Sequence, residues 1–188
     1  MSFYLTEDEL DSYAEFVRSY MKQTGIFELD VAHAVVLGIV GEYFEIIELE
    51  EEIANTTDPC ILEDLQNKLK KEHGDQLFYF RAAFNLLIIT NSRIIYDISV
   101  GPPSTYVKYS KAMEELIDKY KRRFIYVQNR VPLEQTIIEA WYTFCDMLAE
   151  KYGDDYLREC LVENEAKLKR RHPNGFTTET SLAKRDEN

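Results

Sequence analysis

Residues 38–53 read GIVGEYFEIIELEEEI and residues 59–83 read PCILEDLQNKLKKEHGDQLFYFRAA, with the break NTTD at 55–58 between them. In the first run Val35, Ile39, Ile46, Leu49 and Ile53 recur at alternating steps of four and three. In the second, Leu62, Leu65, Leu69, Tyr79, Ala83 and Leu86 do the same. That is the core-facing stripe of packed α-helices. Glu42 stands in the first stripe where the pattern asks for a leucine. Glu72 does so in the second, which continues through Gln76 to Tyr79. Glu45 and Asp75 follow three residues after each glutamate, on the same helical face. Two helices folded back about 55–58 therefore bring four acids, Glu42, Glu45, Glu72 and Asp75, towards one point.

Carboxylates at core positions need a reason. Taking an ion out of water costs several kcal/mol even after relaxation. The alternative is that both glutamates lie at a helix edge and reach out to solvent. A divalent cation is the simplest partner for four acids. Oxygen ligands of this kind suit Mg²⁺, with Mn²⁺ as a substitute.

The pattern Glu42-x-x-Glu45, 26 residues, Glu72-x-x-Asp75 resembles the metal motif of the all-α nucleoside triphosphate pyrophosphohydrolases, the MazG-like superfamily. The flanks are similar too. Residues 38–42, GIVGE, resemble the family's Gly-Leu-x-Gly-Glu, and residues 72–77, EHGDQL, resemble its Glu-Leu-Gly-Asp-x-Leu. Glu48 falls where many members carry a third acid. Phe44 departs from the small residue usual before the second glutamate, and its ring is expected to narrow the site. A second stretch, residues 164–176, NEAKLKRRHPNGF, resembles the family's Asn-x-x-Lys-Leu-x-x-Arg-Tyr-Pro-x-Gly-Phe, with His172 in place of tyrosine. The resemblance covers 26–91 and 155–178. It implies Glu42, Glu45, Glu72 and Asp75 as metal ligands, with Asn164, Lys167 and Arg171 contacting substrate. Glu45 is assigned as the base that takes a proton from water. Arg170 is read as a last-turn complement to the helix dipole.

The remaining chain reads as helices throughout. Thr6 and Glu9 have the spacing of a capping box, with Leu5 and Leu10 as its staple. The first helix is placed at about 6–24, with Leu10, Tyr13, Ala14, Val17 and Met21 inward, and the second at 28–55. Asp58 as N-cap and Pro59 at the first position open a third, running to about 91. Gly101-Pro102-Pro103 is the clearest break. Beyond it come helices at about 104–129, with Tyr106, Tyr109, Met113, Leu116, Ile117 and Tyr120 on one side, at 132–151 after Pro132, and at 155–171 after Gly153. The expected architecture is an all-α bundle of about six helices over 1–176, followed by a polar tail at 177–188. Two of the six, within 92–150, are an insertion relative to the minimal family core, extending the bundle or forming a subunit interface.

Composition bounds the rest. With 45% hydrophobic and 30% charged residues the chain has a globular balance. A formal charge of −12 argues against an electrostatic grip on nucleic acid or an anionic membrane. No apolar run approaches the length of a membrane span, and the acidic N-terminus lacks a signal-peptide layout. Cys60, Cys145 and Cys160 form no metal or disulfide pattern, which fits a cytoplasmic setting. His33 reads as a packed histidine, His73 points away from the acids, and the basic run 119–123 reads as a solvated turn. Phosphate-cradling glycine loops, dinucleotide fingerprints and nucleophile elbows are absent. The reading is an enzyme, a Mg²⁺-dependent pyrophosphohydrolase converting an NTP or dNTP to the monophosphate and pyrophosphate as nucleotide house-cleaning. The resemblance further implies a homodimer or a tetramer. A pyrimidine-specific dUTP or dCTP hydrolase of the same superfamily is the alternative within the enzyme class, and a non-catalytic helical interaction module the alternative outside it.

Overall fold

A computed structural model describes residues 6–21, 28–88, 106–124 and 133–172. The protein is all-α: six helices, and no strand among the described residues. They are α1 (Glu7–Met21), α2 (Glu28–Asn55), α3 (Pro59–Ala83), α4 (Tyr106–Phe124), α5 (Glu134–Tyr152) and α6 (Asp155–Arg171). A π-helical turn, Phe84–Ile88, prolongs α3.

Local chemistry sets the boundaries. At the start of α1 the Thr6 backbone N–H donates to Glu9 Oε2 at 2.8 Å and the Glu9 N–H donates to Thr6 Oγ1 at 3.2 Å, a reciprocal capping box. Leu5, its expected staple partner, lies outside the described residues. Asp58 Oδ1 accepts from the Cys60 and Ile61 N–H groups, and Pro59 takes the first helical position. Gly153, at φ 93°, ends α5 in a conformation that other residues resist. Asp154 sits at the N-cap of α6 without a side-chain cap bond. The expected ends at 22–24, 89–91, 104–105 and 125–132, and the tail beyond 172, lie outside the described residues.

The helices share one apolar core. Leu10, Tyr13, Ala14 and Val17 of α1 are buried as their spacing predicts, with Tyr20 beside them and Met21 packed at the edge. Helices α2 and α3 form the most extensive helix pair. Helices α4 and α5 form a second hairpin, since Lys119 bonds Thr136 while the Tyr109 ring lies 5.0 Å from Phe144. Trp141 meets Phe80 and Phe84 edge-on. Helices α4 and α5 thus belong to the same core, and α5 meets α3 along His73, Phe80 and Phe84.

Candidate metal centre

Two contacts fix the register of α2 against α3. Gly38 lies under the Tyr79 ring, so close that a Cβ there would sit 2.3 Å from Tyr79 Cε1. One turn further along α2, ligand oxygens of Glu42, Glu45 and Glu72 all lie within 4.8 Å of one another. Glu42 and Glu72 are half-buried and Glu45 is exposed. Glu42 Oε2 is buried and has no hydrogen-bond partner among the described residues.

Crowded carboxylates resist ionisation. Burial, with the charges of Asp75 and Glu72, pushes the Glu42 carboxyl up to about 9. Burial and Asp75 raise Glu72 as well. The Tyr79 hydroxyl is pushed up to about 12 by burial, with Glu42 adding to the shift. Positive charge placed among these carboxylates would relieve that crowding.

Asp75 occupies a different place from the one expected. Its charge reaches Glu42 and Glu72, but it is not part of the three-acid cluster, because both of its oxygens are engaged by α6. Lys167 Nζ ion-pairs with Oδ2, and Asn164 Nδ2 donates to Oδ1 at 2.5 Å. Tyr13 of α1 in turn donates its hydroxyl to Asn164 Oδ1 at 2.9 Å. Gly74 allows this approach: a Cβ there would lie 3.0 Å from both Asn164 Cβ and the Cys160 carbonyl oxygen. Lys167 also lines a pocket of about 380 Å³ with Lys71, Glu163, Arg170 and Arg171. Four cations around one pocket in a chain of charge −12 suit a polyanion.

Family models, curated proteins and solved structures give no match to this chain. The MazG-like resemblance therefore rests on the two sequence motifs alone.

That geometry fits a hard divalent cation. Three carboxylates meet from facing helices, one buried oxygen lacks a partner, and a fourth acid is held nearby by a lysine and an amide. Glu48 is exposed and outside the cluster. The Phe44 ring stands 51% exposed and tilted against Tyr43, and Glu45 beside it remains open to solvent. His73 faces away from the acids as expected, buried among Phe144, Tyr152 and Tyr156, with Nδ1 3.0 Å from the Tyr156 hydroxyl. His33 Nδ1 lies 2.6 Å from the Tyr120 hydroxyl, a packed histidine.

Several residues of the site carry no sequence signal that spacing could detect. Tyr13 reads as one more core aromatic, yet its hydroxyl orients Asn164. Arg170 reads as a last-turn complement to the helix dipole, and Lys71 belongs to no motif. They share a pocket only because α3 and α6 meet at Gly74, and the lysine's adjacency to Glu72 is the one available hint.

Proposed function

We propose that the chain is a divalent-cation-dependent pyrophosphohydrolase of the MazG-like kind, taking an NTP or dNTP and water to the (d)NMP and pyrophosphate. The observation that carries this reading is the junction at Asp75. There a cluster of carboxylates suited to a cation abuts a pocket of cations suited to phosphate. A structural cation site has no use for the second half.

A divalent ion held by Glu42, Glu45 and Glu72 supplies Lewis acidity towards water and phosphate oxygens. The protein's own groups do the rest. Glu45, the exposed member of the cluster, accepts the proton of the attacking water. Lys167 and Arg171 hold the phosphate chain, with Lys71 and Arg170 on the same pocket wall. Phosphate oxygens compete with Asp75 for the Lys167 ammonium, so substrate and the fourth acid are linked through one side chain. Asn164, fixed by Tyr13, keeps Asp75 at that junction.

Two further features belong to the proposal. Leu37 and Phe44, seven residues apart on one face of α2, are 55% and 51% exposed. They offer an apolar stripe to a second copy in a homodimer or tetramer. No helix among the described residues is long and apolar enough to cross a membrane, and three free thiols suit a reducing, cytoplasmic setting.

The test is a screen of canonical and damaged NTPs and dNTPs with Mg²⁺, reading products. Release of pyrophosphate rather than orthophosphate is expected. Glu72→Gln should lower kcat/KM by more than about 100-fold, beyond the usual effect of losing a residue that merely supports a ligand. Turnover confined to dUTP or dCTP would select the pyrimidine-specific enzyme. A folded protein that binds Mn²⁺ and hydrolyses nothing would leave the helical interaction module.

A further inference from the structure

Gln76 is the one buried side chain among the described residues with two unmatched polar atoms. It is 0% exposed, and neither its amide nitrogen nor its carbonyl oxygen has a partner among the described residues. A buried amide left unmatched costs about 1–3 kcal/mol, and a leucine would fill the stripe without that penalty. Native proteins seldom keep such a group unless another state satisfies it.

Its position says which state. Gln76 follows Glu72 by one turn on the face of α3 that meets α2. Glu42 meets Glu72 on one side of it and Gly38 meets Tyr79 on the other, so Gln76 looks onto α2 between these two fixed points. Across that seam, Glu42 Oε2 is a buried acceptor without a donor. The α2–α3 pair thus holds, beside the acid cluster, a buried amide and a buried carboxylate oxygen that are both unmatched in the ion-free chain. Carboxylates that bind cations are in turn held by hydrogen bonds from residues that do not touch the ion.

We propose that Gln76 positions Glu42 for the cation: its carboxamide N–H donates to the Glu42 oxygen that the ion leaves free. This rests on the cation-binding reading of the acid cluster. Gln76 is a positioning residue, acting through Glu42 and touching neither substrate nor ion. It accounts for a polar group at position 76 that the motif spacing alone does not require.

The experiment uses the full chain and Mn²⁺ alone, without nucleotide. Calorimetric titration of Gln76→Met, which keeps the length and removes the donor, should show Mn²⁺ binding weakened by about 10–100-fold. Its thermal midpoint without metal should equal or exceed that of the unaltered protein, because the unmatched amide is gone. Affinity within twofold of the unaltered protein overturns the proposal and leaves the cation site standing. No Mn²⁺ binding by the unaltered protein sinks both. A second measurement needs no variant to fold. On adding Mg²⁺ to the ¹⁵N-labelled protein, the Gln76 side-chain amide resonance should shift and its protons should exchange more slowly with water. An unmoved resonance in the loaded protein also overturns the proposal.

Discussion

The α2–α3 seam and the α4–α5 seam are both helix hairpins whose sequences show the same alternating spacing, and they are filled differently. Between α4 and α5 lie Tyr109, Met113, Leu116, Phe144 and Leu148, all fully buried, with the Tyr106 and Tyr109 hydroxyls the unmatched polar atoms on α4 among the described residues. Between α2 and α3, Ile39, Ile46 and Leu69 are interrupted by Glu42, Glu72 and Gln76. The first seam is a solution for stability. The second gives up apolar burial at three stripe positions and leaves two groups unmatched, which is the pattern of a working site carried by its surroundings.

The comparison breaks most directly if the acid seam is made to resemble its neighbour. Leaving a buried polar group unmatched costs about 1–3 kcal/mol, which a packed apolar side chain recovers. Glu42→Leu should therefore stabilise the ion-free protein by that order in urea unfolding, while Mn²⁺ binding and turnover are lost. A destabilised variant would mean that Glu42 already has what it needs in the folded chain. In that case the acid seam is a structural feature and needs no cation.

Much of this was legible because it is local. Alternating steps of four and three located Glu42 and Glu72 on core stripes, and the Thr6–Glu9 and Asp58–Pro59 signals placed two helix starts. The sequence spacing also put Asn164 and Lys167 on one face, and both turn towards Asp75. What escaped depends on three helices meeting. The withdrawal of Asp75 from the acid cluster needs α6 to lie against Gly74, and the Tyr13–Asn164 bond joins residues 151 apart in the chain. The π-helical turn at Phe84–Ile88, where Asn85 donates to the Ala14 carbonyl at 3.2 Å, has no counterpart in a stripe of regular spacing.

A pH series sharpens the contrast, because the acid seam titrates and the apolar one does not. Glu42 is held near 9 by burial and by Asp75 and Glu72, against an ordinary value of 4.5. Between those values the folded chain binds a proton that the unfolded chain releases, so stability falls as pH rises through the window. His73 acts in the opposite sense. Burial holds it near 3, against 6.5, so stability falls as pH drops from 6.5 towards 3. Ion-free protein should then melt highest at about pH 4.5–6.5, with an alkaline slope of about 1.4 kcal/mol per pH unit for each proton that the folded acid seam retains. Saturating Mn²⁺ should flatten that alkaline limb, since bound metal holds the carboxylates ionised. Melting curves in EDTA that show no alkaline decline would remove the strain assigned to the acid seam.

The smallest effects come from two glycines three residues apart in α2. In a helix interior, Gly→Ala is ordinarily worth up to about 1 kcal/mol in favour of alanine. At Gly41 an added Cβ meets nothing within 4 Å, so Gly41→Ala should raise the urea midpoint by that amount. At Gly38 the Cβ would lie 2.3 Å from Tyr79 Cε1 and 2.4 Å from Cδ1. The ring must move, at an overpacking cost of about 1–3 kcal/mol, and Gly38→Ala should be a net loss of about 1–2 kcal/mol after the helix gain. The two substitutions then differ in sign, although composition and spacing treat them alike. Gly38→Ala should also weaken Mn²⁺ binding, because the ring it displaces helps hold Glu72 opposite Glu42. If both variants are stabilised, Tyr79 yields freely and the register of the acid seam is set elsewhere, by the apolar residues it shares with every other helix pair in the bundle.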